Sequence, residues 1–252
     1  MKPDSREIPA ALGVVLIFLA AWGVVAHFKW VSAVFLPGPL ATWEALRTGL
    51  VDGDLAMLLL RTVERMAYGW ALASAFGVAL GAFIGSSRRM RAWLQPTLEF
   101  VRPLPASAVL PLAIALMGLS PAMVLMVIAF GAVWPVLLAT VHGFASLEPR
   151  LVEVGRVLRL SRPAFIWKVG LPNAMADVLA GMRLSLTVAL ILAIVGEMLA
   201  SQDGLGTAIV LAARSFRSAE LFAGVALLGL VGLVSNALLT LLEKRWLRWR
   251  QP

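Results

Sequence analysis

Long apolar stretches, interrupted by short segments rich in arginine, limit the fold of this chain more than any other feature. Residues 8–26 form the first stretch, and about 19 residues at 1.5 Å each cover the roughly 30 Å hydrocarbon core of a bilayer. Hydrophobic residues make up 60% of the chain and charged residues 14%, whereas soluble domains average about 45–50% and about 25%. Because so large an apolar excess could not all be hidden from water, we predict an all-α integral membrane protein.

The apolar stretches predict about six transmembrane helices, at residues 8–26, 55–85, 104–119, 122–144, 184–199 and 219–242. The first has an alternative interpretation as a signal peptide, because Lys2 and Arg6 precede it, but its length favours an uncleaved span. The first part of the second span carries Arg61, Glu64 and Arg65, so we expect that part to project above the bilayer.

A short helix is predicted between the first two spans. Leu36-Pro37-Gly38-Pro39 is typical of a turn that opens a helix, with Pro39 in the first helical turn. Hydrophobic residues then recur at spacings of three and four, which is typical of an amphipathic helix on a membrane surface: Leu40, Trp43, Leu46 and Leu50. An irregular external loop is the alternative.

The basic residues give the topology. With the amino terminus inside and six spans, 16 of the 22 Lys and Arg residues fall on the inner side, and the other six are Lys29, Arg47, Arg61, Arg65, Arg214 and Arg217. Inner loops of membrane proteins carry such an excess of positive charge. We therefore expect both termini in the cytoplasm.

Small residues repeat every four positions in the second span, at Ala73, Gly77, Gly81 and Gly85. This spacing places them on one helix face, where a second helix can approach closely and pack by van der Waals contact in lipid. We interpret the repeat as a packing seam.

Residues 147–172, between the fourth and fifth spans, are predicted to form two short amphipathic helices on the cytoplasmic side. The apolar stripe of the first helix consists of Leu147, Leu151, Val154 and Leu158. Ser161 can cap the second helix, whose apolar side carries Phe165, Ile166 and Val169. Leu171-Pro172 should end that helix before a further stretch at residues 173–183. The stripe must pack against the chain's own spans, lipid headgroups or another protein.

Several motifs within and around this segment resemble one family. Glu153-Val154-Gly155, Leu160-Ser161 and Leu171-Pro172 are similar to the Glu-Ala-Ala loop of binding-protein-dependent ABC importer permeases. An ordered series elsewhere resembles the aliphatic sulfonate, taurine and nitrate permease group: Leu36-Pro37-Gly38-Pro39, Arg102-Pro103-Leu104-Pro105, Glu148-Pro149-Arg150-Leu151, the run at residues 181–186, the run at residues 196–201, and Gly204-Leu205-Gly206. The resemblance covers about residues 36–245.

The resemblance implies a permease subunit of type I ABC importer fold, with one domain over residues 1–252, in the bacterial cytoplasmic membrane. Separate cytoplasmic ATPase subunits would bind ATP and Mg²⁺, and this chain, which has no phosphate-binding P-loop motif, would bind no cofactor. A second permease copy and an external substrate-binding protein would complete the importer. The residues implied to couple to the ATPase are Glu153, Val154, Gly155, Leu158, Arg159, Leu160, Ser161, Leu171 and Pro172.

Three residues depart from the family pattern. Gly155 replaces the usual alanine and Gly170 the usual aliphatic residue, and each glycine should weaken its helix by about 1 kcal/mol. Arg159 replaces a glycine that would suit a left-handed helix terminus, where arginine costs about 1–2 kcal/mol. Either the turn differs from the family's, or the first helix continues and Arg159 faces the partner.

Candidates for the solute pathway are few. Glu197 lies in the apolar run of the fifth span, where a carboxylate either serves function or pairs with an arginine such as Arg61, Arg65 or Arg214. Arg183, at the inner end of that span, is a membrane anchor or a substrate ligand. Met117 is either a packing residue of its span or part of the pathway.

Other functional classes receive less support. The basic residues form no patch among aromatics, which argues against nucleic-acid binding. The chain has no cysteine, and His27 and His142 have no carboxylates at ligand spacing, so neither a metal site nor catalytic residues are predicted. An ion-coupled secondary transporter remains the alternative, although such proteins usually carry ionisable groups at mid-membrane. A membrane enzyme would need a cluster of catalytic residues, which the sequence does not indicate.

Overall fold

The computed structural model describes residues 7–101 and 105–247, with the backbone alone at residues 7–12 and at Gln95. This part of the chain contains only helices: α1 (Glu7–His27), α2 (Pro39–Val51), α3 (Leu55–Gly85), α4 (Arg88–Val101), α5 (Ala106–Met117), α6 (Pro121–Ala145), α7 (Pro149–Val157), α8 (Arg162–Phe165), α9 (Leu171–Ala200), α10 (Leu205–Arg214) and α11 (Ser218–Trp246). A π-helical turn, Ile166–Gly170, joins α8 to α9. The predicted all-α fold is confirmed.

Within the described residues, four helices are long and apolar enough to cross a bilayer: α3, α6, the continuous helix Arg162–Ala200, and α11. The bent pair α4 and α5 would make a fifth span. The first predicted span is helical over 21 residues in α1, about 31 Å at 1.5 Å per residue. The side on which the termini lie stays a prediction.

The third predicted span, residues 104–119, is longer than the helix that the structure shows in this run. Within it, α5 has 12 residues and rises only about 18 Å, and Gly118, at φ 67°, ends the helix. Leu104 lies outside the described residues. The run therefore reaches the length of a span only together with α4, which lies between two predicted spans and is bent by 85° relative to α5.

The chain divides into two compact units, of which the first comprises Met1–Leu60 and Asp203–Gly229. In this unit α2 confirms the predicted short helix, with Pro39 in its first turn and the apolar side chains of Leu40 and Trp43 exposed. Trp22 of α1 donates a hydrogen bond to the Pro37 carbonyl (2.9 Å) and stacks on Phe222 of α11. The unit also contains α10, a helix that was not predicted.

The second unit comprises Arg61–Gln202 and Leu230–Pro252, and α6 and α9 form its centre. The two helices run antiparallel, because Gly196 lies against Val124 whereas Gly143 lies against Ala174. Both glycines leave no room for a side chain, so the helix backbones approach closely.

The predicted packing seam of α3 faces α6. A Cβ added at Gly77 would lie 2.9 Å from Val136 Cβ, and one at Gly81 would lie 2.5 Å from Thr140 Cβ. Gly85 contacts Phe144 in the same way. The seam is confirmed, and its small residues set the distance between α3 and the central pair.

Candidate functional site

The 147–172 segment begins with α7, which ends in a left-handed turn. Arg159 has φ 46°, its N–H donates to the Arg156 carbonyl (3.0 Å), and the Leu160 N–H donates to the Gly155 carbonyl (3.0 Å). These two bonds define a Schellman motif, which satisfies carbonyls that a helix terminus leaves unpaired. Both alternatives expected from the sequence are wrong: the helix ends at Val157, and the turn keeps the left-handed geometry with arginine in the position that glycine usually takes.

Gly155 lets the two short helices pack closely. It is buried, and a Cβ added to it would lie 2.7 Å from Cδ2 of Phe165, the last residue of α8. Ser161 caps α8 as predicted, because its Oγ accepts a hydrogen bond from the Ala164 N–H (3.4 Å). The departure from alanine at Gly155 therefore has a reason: the Phe165 ring occupies the space of the missing side chain.

Leu171-Pro172 does not end the second helix, contrary to the prediction. A proline lacks an N–H and its ring clashes with the carbonyl four residues earlier in an α-helix. Here the chain widens into the π-helical turn just before Pro172, and the Leu171 N–H donates to the Ile166 carbonyl five residues back. Gly170 accommodates the turn, since a Cβ there would lie 2.3 Å from Phe144 Cε1. The predicted stretch at residues 173–183 is thus the middle of one helix.

Most of the predicted apolar stripe is exposed. Val154 is 50% exposed and Leu158 64%, and two further large apolar side chains of the segment, Val157 and Trp167, are 81% and 70% exposed. Of the coverings considered for the stripe, the chain's own spans do not bury these side chains. The same segment carries seven exposed charged residues: Glu148, Arg150, Glu153, Arg156, Arg159, Arg162 and Lys168.

Glu197 lies fully buried near the other end of the continuous helix. Thr62 Oγ1 donates a hydrogen bond to Glu197 Oε2 (3.0 Å), and Arg65 forms an ion pair with Oε1. The Arg65 side chain is only 14% exposed, because it packs against α9 at this ion pair. The projection of the first part of α3 above the bilayer stays a prediction. Glu197 joins α9 to α3 as one half of an ion pair, the second of its two interpretations.

The other two pathway candidates lie on different helices, Arg183 on α9 and Met117 on α5. Arg183 forms an ion pair with Glu243 of α11, and the two side chains are 40% and 28% exposed. Met117 is the last residue of α5 and is 40% exposed. The structure does not bring Glu197, Arg183 and Met117 together.

A cavity of about 740 Å³ lies instead among α4, α6 and α9 in the second unit. Its wall includes apolar residues such as Trp134, Leu138 and Leu184. The ionisable side chains among its described lining are Arg91, Glu99 and His142. Arg91 also donates to the Gly85 carbonyl at the end of α3, which holds α4 beside that helix.

Arg91, Leu98 and Glu99 were not predicted to line a site. Leu98 and Glu99 follow Arg91 by seven and eight residues, and this spacing places all three on one face of a helix. That periodicity was the available signal. The periodicity was missed because the arginines at the start of α4 were counted only as basic residues of the inner side, between two predicted spans.

Comparison with known proteins adds independent findings. Residues 76–248 match the family described as "Binding-protein-dependent transport system inner membrane component". Over 251 residues the chain is 32% identical to the "Putative aliphatic sulfonates transport permease protein SsuC" of Bacillus subtilis, covering 99% of this chain and 91% of that protein. It is 28% identical to the "Taurine transport system permease protein TauC" of Escherichia coli (98% and 92% covered) and 28% identical to the "Nitrate import permease protein NrtB" of Leptolyngbya laminosa (97% and 89% covered).

Proposed function

The chain belongs to the family of binding-protein-dependent transport system inner membrane components, and on that premise we propose that its 147–172 segment docks on a separate ATPase subunit that drives solute import. The chain is an ABC importer permease, a multi-pass protein of the inner membrane. ATP and Mg²⁺ would bind to the ATPase partner, and an external binding protein would deliver the solute. A second copy of this chain would complete the membrane part, as closed two-fold symmetry favours.

The exposed apolar surface of the 147–172 segment carries this proposal. Val154, Val157, Leu158 and Trp167 lie exposed, whereas Gly155 and Phe165 fix the two short helices against each other. A rigid support beneath an apolar patch with a charged rim is typical of a protein interface, in which a few large side chains give most of the affinity. The inner location of the segment follows from the predicted topology.

The continuous helix Arg162–Ala200 gives a physical route for coupling. It contains 39 residues and rises about 58 Å at 1.5 Å per residue. Leu184 and Val188 of this helix line the cavity, and Glu197 holds its far end to α3. Displacement of the docked segment would therefore move one wall of the cavity, which we propose as part of the solute pathway.

Small anions are the proposed solutes. The names of the relatives reported above refer to aliphatic sulfonates, taurine and nitrate. These solutes share small size and an anionic group. The cavity, at about 740 Å³, is within the range of small-molecule sites, roughly 300–1,000 Å³.

The substitution Glu153→Arg tests the docking role. Glu153 is exposed on α7, so we expect normal folding and membrane insertion but loss of ATPase co-purification and of ATP-dependent uptake in proteoliposomes with the binding protein. Glu44→Arg, the same charge change at an exposed position of α2, is the matched control and should leave both unchanged. Unchanged co-purification and uptake in Glu153→Arg would contradict the proposal.

A further inference from the structure

A second cavity, of about 490 Å³, lies between α3 and the beginning of the continuous helix that contains α9. Its wall on α3 includes Ala75, Ala79 and Phe83, which are exposed and recur every four residues, so they share one helix face. The other wall includes Trp167 of the π-helical turn and Met182 of α9. Because exposed residues of a membrane-crossing helix form one wall, the cavity opens at the surface of α3 within the bilayer.

Ser74 lines this cavity and has an unused hydroxyl group. The residue is 6% exposed, and among the residues that the structure describes its Oγ has no hydrogen-bond partner. Ser74 lies eleven residues before Gly85, the end of α3, or about 16 Å along the helix axis, near the middle of a roughly 30 Å hydrocarbon core. An unpaired hydroxyl at that depth destabilises the protein, because lipid offers no bond in exchange.

The surroundings of Ser74 restrict which partner can satisfy it. A buried water molecule typically makes about three hydrogen bonds, whereas the described lining offers the Ser74 hydroxyl and the indole N–H of Trp167 beside hydrophobic side chains. A charged ligand would have no counter-charge among these residues and would be costly to bury. A lipid acyl chain fits the apolar wall but has no atom that accepts a hydrogen bond from the hydroxyl. The requirement is an uncharged, apolar molecule with one acceptor.

We propose that this cavity binds an uncharged, lipid-soluble ring compound that carries a carbonyl group. Its carbonyl oxygen accepts a hydrogen bond from Ser74 Oγ, and its ring system lies against the aromatic side chains of Phe83 and Trp167. These two side chains are 57% and 70% exposed, so their rings are available for stacking or edge contacts with an aromatic ligand. Ser74 and Phe83 are nine residues apart, about 14 Å along the axis of α3, which gives the site an elongated shape.

This inference goes beyond the proposed function and does not depend on it, because it needs only the membrane location of α3. The bound molecule would contact α3 and also Ile166 and Trp167 of the π-helical turn, which joins the 147–172 segment to α9. Occupancy would therefore hold this turn against α3. Trp167 also belongs to the proposed docking surface, so ligand binding is tested in the absence of an ATPase.

Photolabelling with benzophenone, itself an uncharged two-ring ketone, tests the inference. The purified full-length permease in lipid nanodiscs is irradiated at increasing benzophenone concentrations, and mass spectrometry of the digested chain locates the label. We expect saturable labelling of the cavity wall, including Met182, and only non-saturable labelling at exposed positions of another span such as Leu233. The competitor 4-acetylbiphenyl should displace the label about fivefold better than 4-isopropenylbiphenyl, in which a methylene group replaces the oxygen, because one neutral hydrogen bond is lost.

Variants of the cavity wall separate the hydroxyl from the apolar space. Ser74→Ala should weaken benzophenone labelling about fivefold without lowering the melting temperature of the chain, because the hydroxyl that it removes is unpaired. Ala79→Phe, at an exposed position of the same wall, should fill the cavity and abolish saturable labelling. Ser235→Ala, at a serine of α11 that does not line the cavity, is the matched control and should label normally.

Three results would overturn the inference. The first is non-saturable labelling that is equal on α3 and α11, which is expected if benzophenone merely dissolves in the bilayer. The second is equal displacement by the two competitors, which would identify an apolar groove for acyl chains. The third is labelling that Ser74→Ala or Ala79→Phe leaves unchanged. Gel-filtration profiles show whether each variant is folded, and Ala79→Phe keeps the test decisive if Ser74→Ala is not.

Discussion

The Glu197 site and the 147–172 segment both contain charged side chains beside apolar ones, but they differ in how far the chain itself satisfies them. Both carboxylate oxygens of Glu197 have a partner within the chain, Thr62 for one and Arg65 for the other. In the 147–172 segment, Val157 and Trp167 lie exposed, and so do the charged side chains of the same segment. The first site is complete within one chain, whereas the second has a stable frame and an uncovered surface.

This difference shows how one helix can serve two purposes. The continuous helix Arg162–Ala200 carries the uncovered surface near its start and Glu197 near its end. A buried ion pair is costly to separate, because each charge would remain desolvated without its partner. The pair therefore anchors the helix at one end, and the other end remains available for a partner protein.

The largest expected effect is at the anchor. Glu197→Leu leaves Arg65 without its carboxylate, and breaking such a buried pair costs about 3–5 kcal/mol. We expect a clearly lower melting temperature of the purified chain in detergent, and partial recovery in the double variant Arg65→Leu/Glu197→Leu. Glu153→Leu, at an exposed carboxylate of the 147–172 segment, is the matched control with little effect. Equal stability of the Glu197 and Glu153 variants would remove the contrast between the two sites.

A smaller loss of stability is expected for a substitution at Gly170, where the 147–172 segment packs against Phe144. Gly170→Ala places a Cβ 2.3 Å from the Phe144 ring, and overpacking of this kind typically costs about 1–3 kcal/mol. Thermal unfolding of the single variant and of Gly170→Ala/Phe144→Leu, in which the smaller side chain should restore stability, measures the coupling. Gly229→Ala is the control, because nothing lies within 4 Å of that position in α11. If Gly170→Ala is as stable as Gly229→Ala, the close contact is not required.

The smallest effect has the opposite sign. Arg159→Gly removes the strain of a left-handed arginine, so we expect the chain to gain about 1 kcal/mol of stability. Arg156→Gly, three residues earlier and within α7, should lose about 1 kcal/mol, because glycine is a poor helix former. A loss of stability in both variants would show that the Arg159 side chain stabilises the turn by contacts that outweigh its strain.

The sequence predicted those features that depend on local pattern. The helix at residues 39–51, the cap at Ser161 and the small-residue seam of α3 all follow from spacing and residue type within a few turns. The positions of the long spans in α6 and α11 follow from continuous apolar runs, because lipid requires helices that satisfy their own backbone.

What the sequence left open or predicted wrongly depends on three-dimensional geometry. The partner of Glu197 was narrowed to Arg61, Arg65 or Arg214, and the sequence could not choose among them because Arg65 lies 132 residues away along the chain. Pro172 was expected to stop a helix because the rule applies to α-helical geometry, and the π-helical turn changes that geometry. The cavity also depends on tertiary structure, since its lining joins α4 to α6 and α9.

The π-helical turn at Ile166–Gly170 also has a rotational consequence. A residue in an α-helix advances the chain by about 100° around the axis, so a turn that holds an additional residue shifts everything after it by a similar angle. These five residues therefore determine the direction around the helix axis in which Leu184 and Val188 face the cavity, compared with the side chains of α8. The π-helical turn thus determines how far the cavity-lining part of α9 is rotated, about the helix axis, relative to α8.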